Sequence, residues 1–514
     1  MKRSIIIIGL LLGTYALSAQ FAEDALRYSQ RYYQGSARFM GTGGAFGALG
    51  GDFSTLSTNP GGIGVFRTSE LILTPSVTSR KVSSLYLFDN TLREDNRTVF
   101  ALNNFGYVNA KRIGNGANGL KYFQYAFGMN RLNNYNSSSY TEGYNSESSK
   151  MDIYYEDAAN IMNLDEYYSA PYADFDNSVG YLQTDRPFDL WPAWYTYLLD
   201  SIQGNDGYTY LVSPMPWGGE VLQTERIETR GSNNEWFASA GANLSDILYV
   251  GATLGLPYIR YYKETTYTET DIYDSLPNMN SWSITENLET KGMGVNLKIG
   301  AIVRPVDWLR IGAAYHTPTY YWNLKDTWQT SVNSDVYAIS DGSWGNYQEN
   351  SIIGTYEYKL TTPMRFIGDI GFVIGKYGFI SGEYEYVNYS SAKFKARDYG
   401  FTSENETINN AYTSTHNFRA GTEWRISGVS LRAGYALYGS PYTNNINDGS
   451  RNSYSGGIGY RSNSFAIDFT YVYSKMNEDY YMYSYSIDNM DVSPKVYNEI
   501  TESSFILTLR YMMK

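Results

Sequence analysis

Few residues in this 514-residue chain have the types and spacing that chemistry needs. Cys is absent and only two His occur, His316 and His416, so no zinc or haem site can be assembled from the usual ligands. The run Gly41-Thr-Gly-Gly-Ala-Phe-Gly47 has the glycine density of a phosphate loop. It puts Phe46 where G-x-G-x-x-G needs its last glycine, and no βαβ pattern surrounds it. No G-x-S-x-G elbow and no paired-His metal motif occurs. Glu383 and Glu385 share one face of a strand and read as lumen-lining polarity, and His316, ahead of Thr317-Pro318, reads as a wall or interface residue. No enzyme, cofactor or nucleic-acid partner is expected.

The elements that would position these residues are strands. The closing segment Phe505–Met513 places Phe505, Leu507, Leu509, Tyr511 and Met513 on one face, and Ile506, Thr508, Arg510 and Met512 on the other. A period of 2 with apolar residues outward and more polar ones inward is the pattern of a transmembrane β-barrel strand. Leu248–Leu256, Met293–Val303 and Phe465–Tyr473 repeat it, with Lys298, Asp468 and Arg510 on the face away from lipid. Fourteen such segments can be marked: 69–80, 98–113, 119–135, 234–245, 247–270, 279–304, 307–332, 350–375, 378–397, 411–426, 429–441, 451–462, 464–478 and 499–513. The turns after the even-numbered segments are short, for example Ser245-Asp246, Ser427-Gly428 and Ser462-Asn463, and every other connection reads as longer. That is the sorting of periplasmic turns and external loops in outer-membrane barrels. Segments of some 20 residues outreach an apolar band of about 25 Å, so the wall is expected to stand above the membrane.

Bulk composition agrees. Tyr is 53 residues and Trp 10, as aromatic girdles require, and mean hydropathy is −0.40, as alternation allows. Lys2 and Arg3 precede the apolar run Ile5–Leu12, with Leu17-Ser-Ala19 as a cleavage site, so 1–19 reads as a signal peptide. No later run approaches 18 apolar residues, which rules out helical spans. The reading is an all-β chain: a 14-stranded antiparallel transmembrane barrel over 69–514, in the bacterial outer membrane.

Two regions fall outside this wall. Residues 20–68 hold ten Gly with Phe39, Met40, Phe46 and Phe53 interleaved, a poor independent core but a good filling for a lumen too wide for side chains alone. They are read as an N-terminal hatch inside the barrel. Residues 136–233 carry 16 Asp+Glu and 4 Lys+Arg, a net −12 that equals the charge of the whole chain. Apolar patches at Ala158–Leu164 and Leu190–Ile202 imply short helices, so this long external loop is read as a folded acidic cap. In Asn59-Pro60-Gly61-Gly62, Pro60 fixes its own φ and biases Asn59 to extended backbone, while the glycines permit a reversal. This turn is expected on the periplasmic side, anchoring the hatch and delivering the chain into the first strand near Ser69.

The hatch segment also carries a resemblance. Ser36-Ala-Arg-Phe-Met-Gly-Thr-Gly-Gly-Ala-Phe-Gly-Ala-Leu49, then Gly51-Asp52, then Asn59-Pro-Gly-Gly-Ile63, resembles the hatch of the FadL/TodX family of hydrophobic-compound channels, with Gly61 where the family usually has Ala. Arg310–Pro318, Thr362-Pro363 and Leu431–Ala436 agree with it. The resemblance implies a hatch-plugged, fourteen-stranded channel that carries fatty acids or similar apolar compounds inward without energy input. A mobile hatch or a gap in the wall would release them. Phe39, Met40, Phe46 and Phe53 are the candidate ligand contacts, and Asn59, Pro60, Gly61 and Gly62 the gating turn. Outer-membrane lipid and lipopolysaccharide are the expected surroundings. The alternative is a non-transporting subunit of a larger outer-membrane secretion or assembly complex, docking another envelope protein through 136–233.

Overall fold

The computed structural model describes residues 22–114, 119–165, 167–215, 220–443, 447–487 and 490–513; the signal-peptide expectation for 1–19 lies outside them. Nineteen strand segments join into one closed antiparallel sheet that makes fourteen wall strands among the described residues. The wall begins with β1 (Ser69–Tyr86), β2 (Thr91–Arg112), β3 (Leu120–Asn134, continued as Ser137–Asn145), β4 (Val221–Leu244) and β5 (Leu248–Thr270). It continues with β6 (Met279–Val306), β7 (Leu309–His316 and Tyr320–Ala338), β8 (Ser343–Asn350, Gly354–Thr361 and Arg365–Ile374) and β9 (Gly378–Asn388 and Lys393–Lys395). The last five are β10 (Ser414–Ile426), β11 (Val429–Tyr438), β12 (Arg451–Arg461), β13 (Phe465–Tyr481) and β14 (Lys495–Met513). The ring closes where β1 pairs with β14, from Ser69↔Met513 to Tyr86↔Val496.

Alternation places the faces as the sequence predicts. Along β14, Phe505, Leu507, Leu509 and Tyr511 are exposed outward, while Ile506, Thr508 and Arg510 are buried. Aromatic residues mark both rims of this outer apolar belt: Tyr258, Tyr320, Trp322, Tyr435 and Tyr454 on one, Trp308, Tyr377, Trp424 and Tyr511 on the other. The strands outrun the belt. The 28 residues of β6, at about 3.3 Å each and a tilt of 35–45°, rise about 65–75 Å against an apolar band of about 25 Å.

Two expectations change. β1 and β2 do not end at 80 and 98; they pair from Glu70↔Val108 up to Tyr86↔Thr91, around a turn at 87–90. So this external connection is short, as is that between β7 and β8, where Ala338 pairs with Ser343 around a turn at 339–342 rather than across a loop at 333–349. The added length, with Lys81, Arg93, Glu94 and Asn96, is wet on its outer face and has no apolar alternation to reveal it. The folded cap is also smaller than 136–233, because Ser137–Asn145 pairs with Val221–Thr229 as continued wall. Above that pairing, α3 (Lys150–Ile161), α4 (Tyr172–Asp185), α5 (Leu190–Tyr195) and a small sheet of Ser169–Pro171, Tyr208–Val212 and Asp200–Gln203 close over the mouth. A capping box between Ser149 and Asp152 starts α3. The cap buries Tyr154, Phe175, Leu182, Leu190 and Leu199 against Trp282, Val332 and Val336 of the wall.

Residues 22–68 lie within the ring. A helix at 22–29, α1, sits highest. Below it come α2 (Ala37–Gly41) and two 3₁₀ turns, Phe53–Ser57 and Pro60–Val65.

Candidate functional site

The hatch builds its own knot before it meets the wall. Ser36 caps α2 by accepting from the Phe39 N–H at 3.1 Å, and its hydroxyl donates to both oxygens of Asp52 at 2.8 and 2.7 Å. Asp52 in turn caps the first 3₁₀ turn by accepting from the Ser54 N–H at 3.0 Å. Two distant pieces of a glycine-rich segment are thus fixed by one carboxylate. Gly43 shows why glycine is needed: its φ is +65°, and a Cβ there would lie 2.7 Å from the Tyr435 carbonyl oxygen of β11.

The knot is then stitched to the wall on all sides. Arg38 donates to Glu423 of β10 at 2.8 Å, Ser57 to Glu235 of β4 at 3.0 Å, and Arg31 to Thr319 at 3.0 Å. The Ala37 N–H donates to Thr508 of β14 at 2.7 Å. His316 meets the Thr58 carbonyl at 2.6 Å. The wall charges are themselves paired: Lys298 with Glu235, Arg419 with Glu383 and Glu385, Arg432 with Glu423 and Asp468, and Arg510 with Asp468. Lys298 and Glu235 are both fully buried. Glu383 and Glu385 line the lumen, as their shared face predicts, and are neutralised by arginine.

The Asn59–Gly62 turn packs in the half of the lumen nearest the turns that follow the even-numbered strands. Asn59 caps the second 3₁₀ turn by accepting from the Gly61 N–H at 3.0 Å, and its amide donates to Asp369 of β8 at 3.0 Å. A Cβ on Gly61 would sit 2.8 Å from the Ala301 Cα of β6, five residues from that strand's end at Val306. The chain then enters β1 at Ser69.

The four candidate contact residues separate into two groups. Phe39 and Met40 line a partly open cavity of about 40 Å³, together with Tyr33 and Gln34. Phe46 instead packs edge-on against Phe379 of β9 at 5.5 Å, and Phe53 lies tilted against Phe237 of β4 at 5.2 Å. The cavity's far side is polar, with Thr78, Asn103, Arg451 and Glu502, and holds about one or two waters. Sequence reasoning missed the larger apolar surface higher up. Ala22, Ala25, Leu26 and Tyr28 of α1 pack there with Tyr135, Ile259, Tyr261, Leu324, Tyr358 and Leu360. Their helical spacing was the available signal.

The wall also has a break, which the resemblance implied without placing it. β2 and β3 exchange ladder bonds only from Arg112↔Tyr122 to Asn104↔Asn130. Above that, Ser137–Asn145 turns inward, so that Gly143 lies on the Tyr86 ring and Thr141 reaches Tyr480 of β13 at 2.9 Å. Side chains take over from backbone along this seam. Arg93 pairs with Glu142 at 2.6 Å, Arg226 with Asp95 at 3.0 Å and Arg97 with Glu228 at 3.1 Å, and Ser138 donates to Asp95 at 2.7 Å. Asn103, at the foot of the seam, lines the cavity. Phe100, 76% exposed, stands beside the seam on the outer face.

The cap is held shut over this interior. Glu269 of β5 is fully buried and accepts from Ser149 at 2.6 Å, the Lys150 N–H at 3.0 Å, Gln223 at 3.0 Å and Trp282 at 2.8 Å. In the cap, burial pushes the Asp152 carboxyl up to about 6, helped by the neighbouring Glu269 and Glu156 charges.

No protein-family model matches the chain, and no curated protein matches it by sequence. Solved structures do. The chain is similar to a Pseudomonas aeruginosa FadL homologue, at 12% identity over 94% of this chain and 99% of that one, with a TM-score of 0.52. It is likewise similar to the P. putida toluene transporter TodX, at 10% identity over 93% and 98% of the two chains, with a TM-score of 0.50. At such identities the likeness establishes the fold.

Proposed function

We propose that this chain, which has the fold of FadL and TodX channels, is a passive outer-membrane channel for hydrophobic small molecules, long-chain fatty acids or similar apolar compounds. The observation that carries the reading is the seam. An apolar solute cannot cross the lower lumen, which buried ion pairs and the hatch fill. Beside the hatch, however, the wall ladder stops, and the gap faces Phe100 and the lipid-facing belt. Apolar surface leaves water at about 25 cal/mol per Å² buried, so a solute caught in the upper barrel has a downhill way out sideways into lipid. Phe39 and Met40 form the floor where that route passes the hatch, and the Asn59–Gly62 turn holds the floor in place. The outer belt contacts membrane lipid, and the taller wall stands among lipopolysaccharide.

A cross-link tests the route. Asp95→Cys with Ser138→Cys places two thiols where the native side chains touch. Oxidised, this pair should cut uptake of a fatty acid or monoaromatic probe at least tenfold, with recovery on reduction. Unchanged uptake through the oxidised, correctly assembled barrel would rule out the seam as the exit.

A second reading, a docking subunit, rests on the cap alone, which is acidic and exposes Tyr167, Tyr181 and Tyr195. Gentle detergent extraction separates the two: a lone barrel supports the channel, and stable co-purification with another envelope protein supports the subunit.

A further inference from the structure

The outer face just above the upper aromatic rim is charged unevenly around the barrel. On β13, β14, β1 and β2 its cations are neutralised, Lys475 by Glu499 at 2.6 Å and Lys81 by Glu94 at 2.7 Å. On β5 to β9 they accumulate. Arg260 stands directly opposite Lys291, Lys291 opposite Lys325, and Lys359 opposite Lys395, with Lys393 one step below. All six point outward, and Lys325, Lys359, Lys393 and Lys395 have no ion-pair partner among the described residues. Two acids stand in the row: Glu289 pairs with Lys291 at 2.7 Å and Arg260 at 3.7 Å, and Glu357 lies directly opposite Lys325, which leaves six cations against two carboxylates. Like charges directly opposite each other in a ladder repel, and Lys359 against Lys395, with no ion pair on either among the described residues, is unfavourable without an anion over it.

Its height names the anion. Arg260 lies two residues above Tyr258, and Lys291 two residues above Met293, with Tyr258 and Met293 paired across the ladder. Lys325 lies three residues above Trp322. Tyr and Trp at a rim mark headgroup level, so the cations sit where the phosphates of the outer leaflet lie. We propose that this face, from β5 to β9, is a docking site for the phosphorylated headgroup of an outer-leaflet glycolipid, with Lys325, Lys359 and Lys395 as its principal phosphate contacts. The proposal rests on the outer-membrane placement above, not on the transport route.

The test uses the full-length barrel in a neutral detergent and purified lipopolysaccharide, intact or enzymatically dephosphorylated. Intact glycolipid should bind, and Lys325→Gln, Lys359→Gln and Lys395→Gln together should weaken it at least tenfold. Lys81→Gln with Lys475→Gln, on the opposite side, should leave binding unchanged. Equal binding of the dephosphorylated form, equal loss in the opposite-side variant, or competition by inorganic phosphate at the glycolipid's own concentration would each overturn the proposal. Heat-modifiable gel mobility checks that each variant is assembled. Hydrocarbon uptake should be normal in the triple variant, whereas the oxidised seam cross-link should bind glycolipid normally, so failure of either idea is seen separately.

Discussion

The hatch floor and the β2–β3 seam use the same materials, arginine against carboxylate, to opposite ends. At the hatch floor, Arg38, Arg432, Glu423 and Asp468 are largely removed from water; Arg38 binds Glu423 alone, while Glu423, Arg432 and Asp468 each have more than one partner. Removing one member of such a set strands the others, which is severely destabilising. Along the seam, Arg93, Arg226, Asp95 and Glu142 are partly in solvent, where an ion pair contributes about 0–1 kcal/mol. The barrel is therefore fastened firmly where it must not open and lightly where the backbone ladder has already been given up. Burial, not residue type, decides which is which.

The largest effect that would break this comparison is at the floor. Glu423→Ala leaves Arg38 and Arg432 without their shared acceptor and should cost about 3–5 kcal/mol, read as a lower denaturation midpoint of the assembled barrel. A midpoint unchanged within error would mean that the lumen is wetter than its packing implies. Next comes the turn. Asn59→Ala with Pro60→Ala removes the Asp369 contact and should loosen the hatch by about 1–3 kcal/mol. Hydrogen exchange over residues 53–65 should quicken and probe uptake should change, while heat-modifiable mobility stays normal. Wild-type uptake of every apolar probe would reduce the segment to a linker.

At the seam, Arg93→Ala with Arg226→Ala should shift the midpoint by no more than about 1–2 kcal/mol, yet raise uptake severalfold. A large stability loss without faster uptake would erase the distinction. The smallest effect concerns the cap. Because the folded cap holds the Asp152 proton more tightly than the usual 3.8, this group's contribution is complete below about pH 4 and is lost as pH rises through about 6. Exchange protection of α3, corrected for the intrinsic rate, should be greater at pH 5 than at pH 7.5. Asp152→Asn, which keeps the capping acceptor, should flatten that dependence.

The wall was legible because lipid imposes period-2 alternation: Phe465–Tyr471 and Phe505–Tyr511 could face only one way. The hatch was legible through its glycines and its Asn59-Pro60 turn. The seam was not. Ser137–Asn145 is buried among polar groups rather than against lipid, so its Ser-Ser-Ser-Tyr-Thr sequence carries no apolar stripe and reads as loop. Nor could alternation say which acid each lumen arginine meets. It assigns Arg419 and Glu385 to the same side of the wall, but their pairing depends on the register between β9 and β10. The split of the four hatch residues into two cavity contacts and two wall anchors depends likewise on the chain path.

One feature of the plugged ring bears on the order of events in biogenesis. Residues 22–68 are bonded to strands from β1's neighbour β14 round to β10, β8 and β4, with many charges already out of water. The ring is sealed beside them by the long β1–β14 ladder, from Ser69↔Met513 to Tyr86↔Val496. A hatch seated while the sheet is still an open, curling ribbon would make all these bonds without crossing a finished wall. Joining the two ends of the chain's wall would then be the last step, with the hatch as the mould around which it closes.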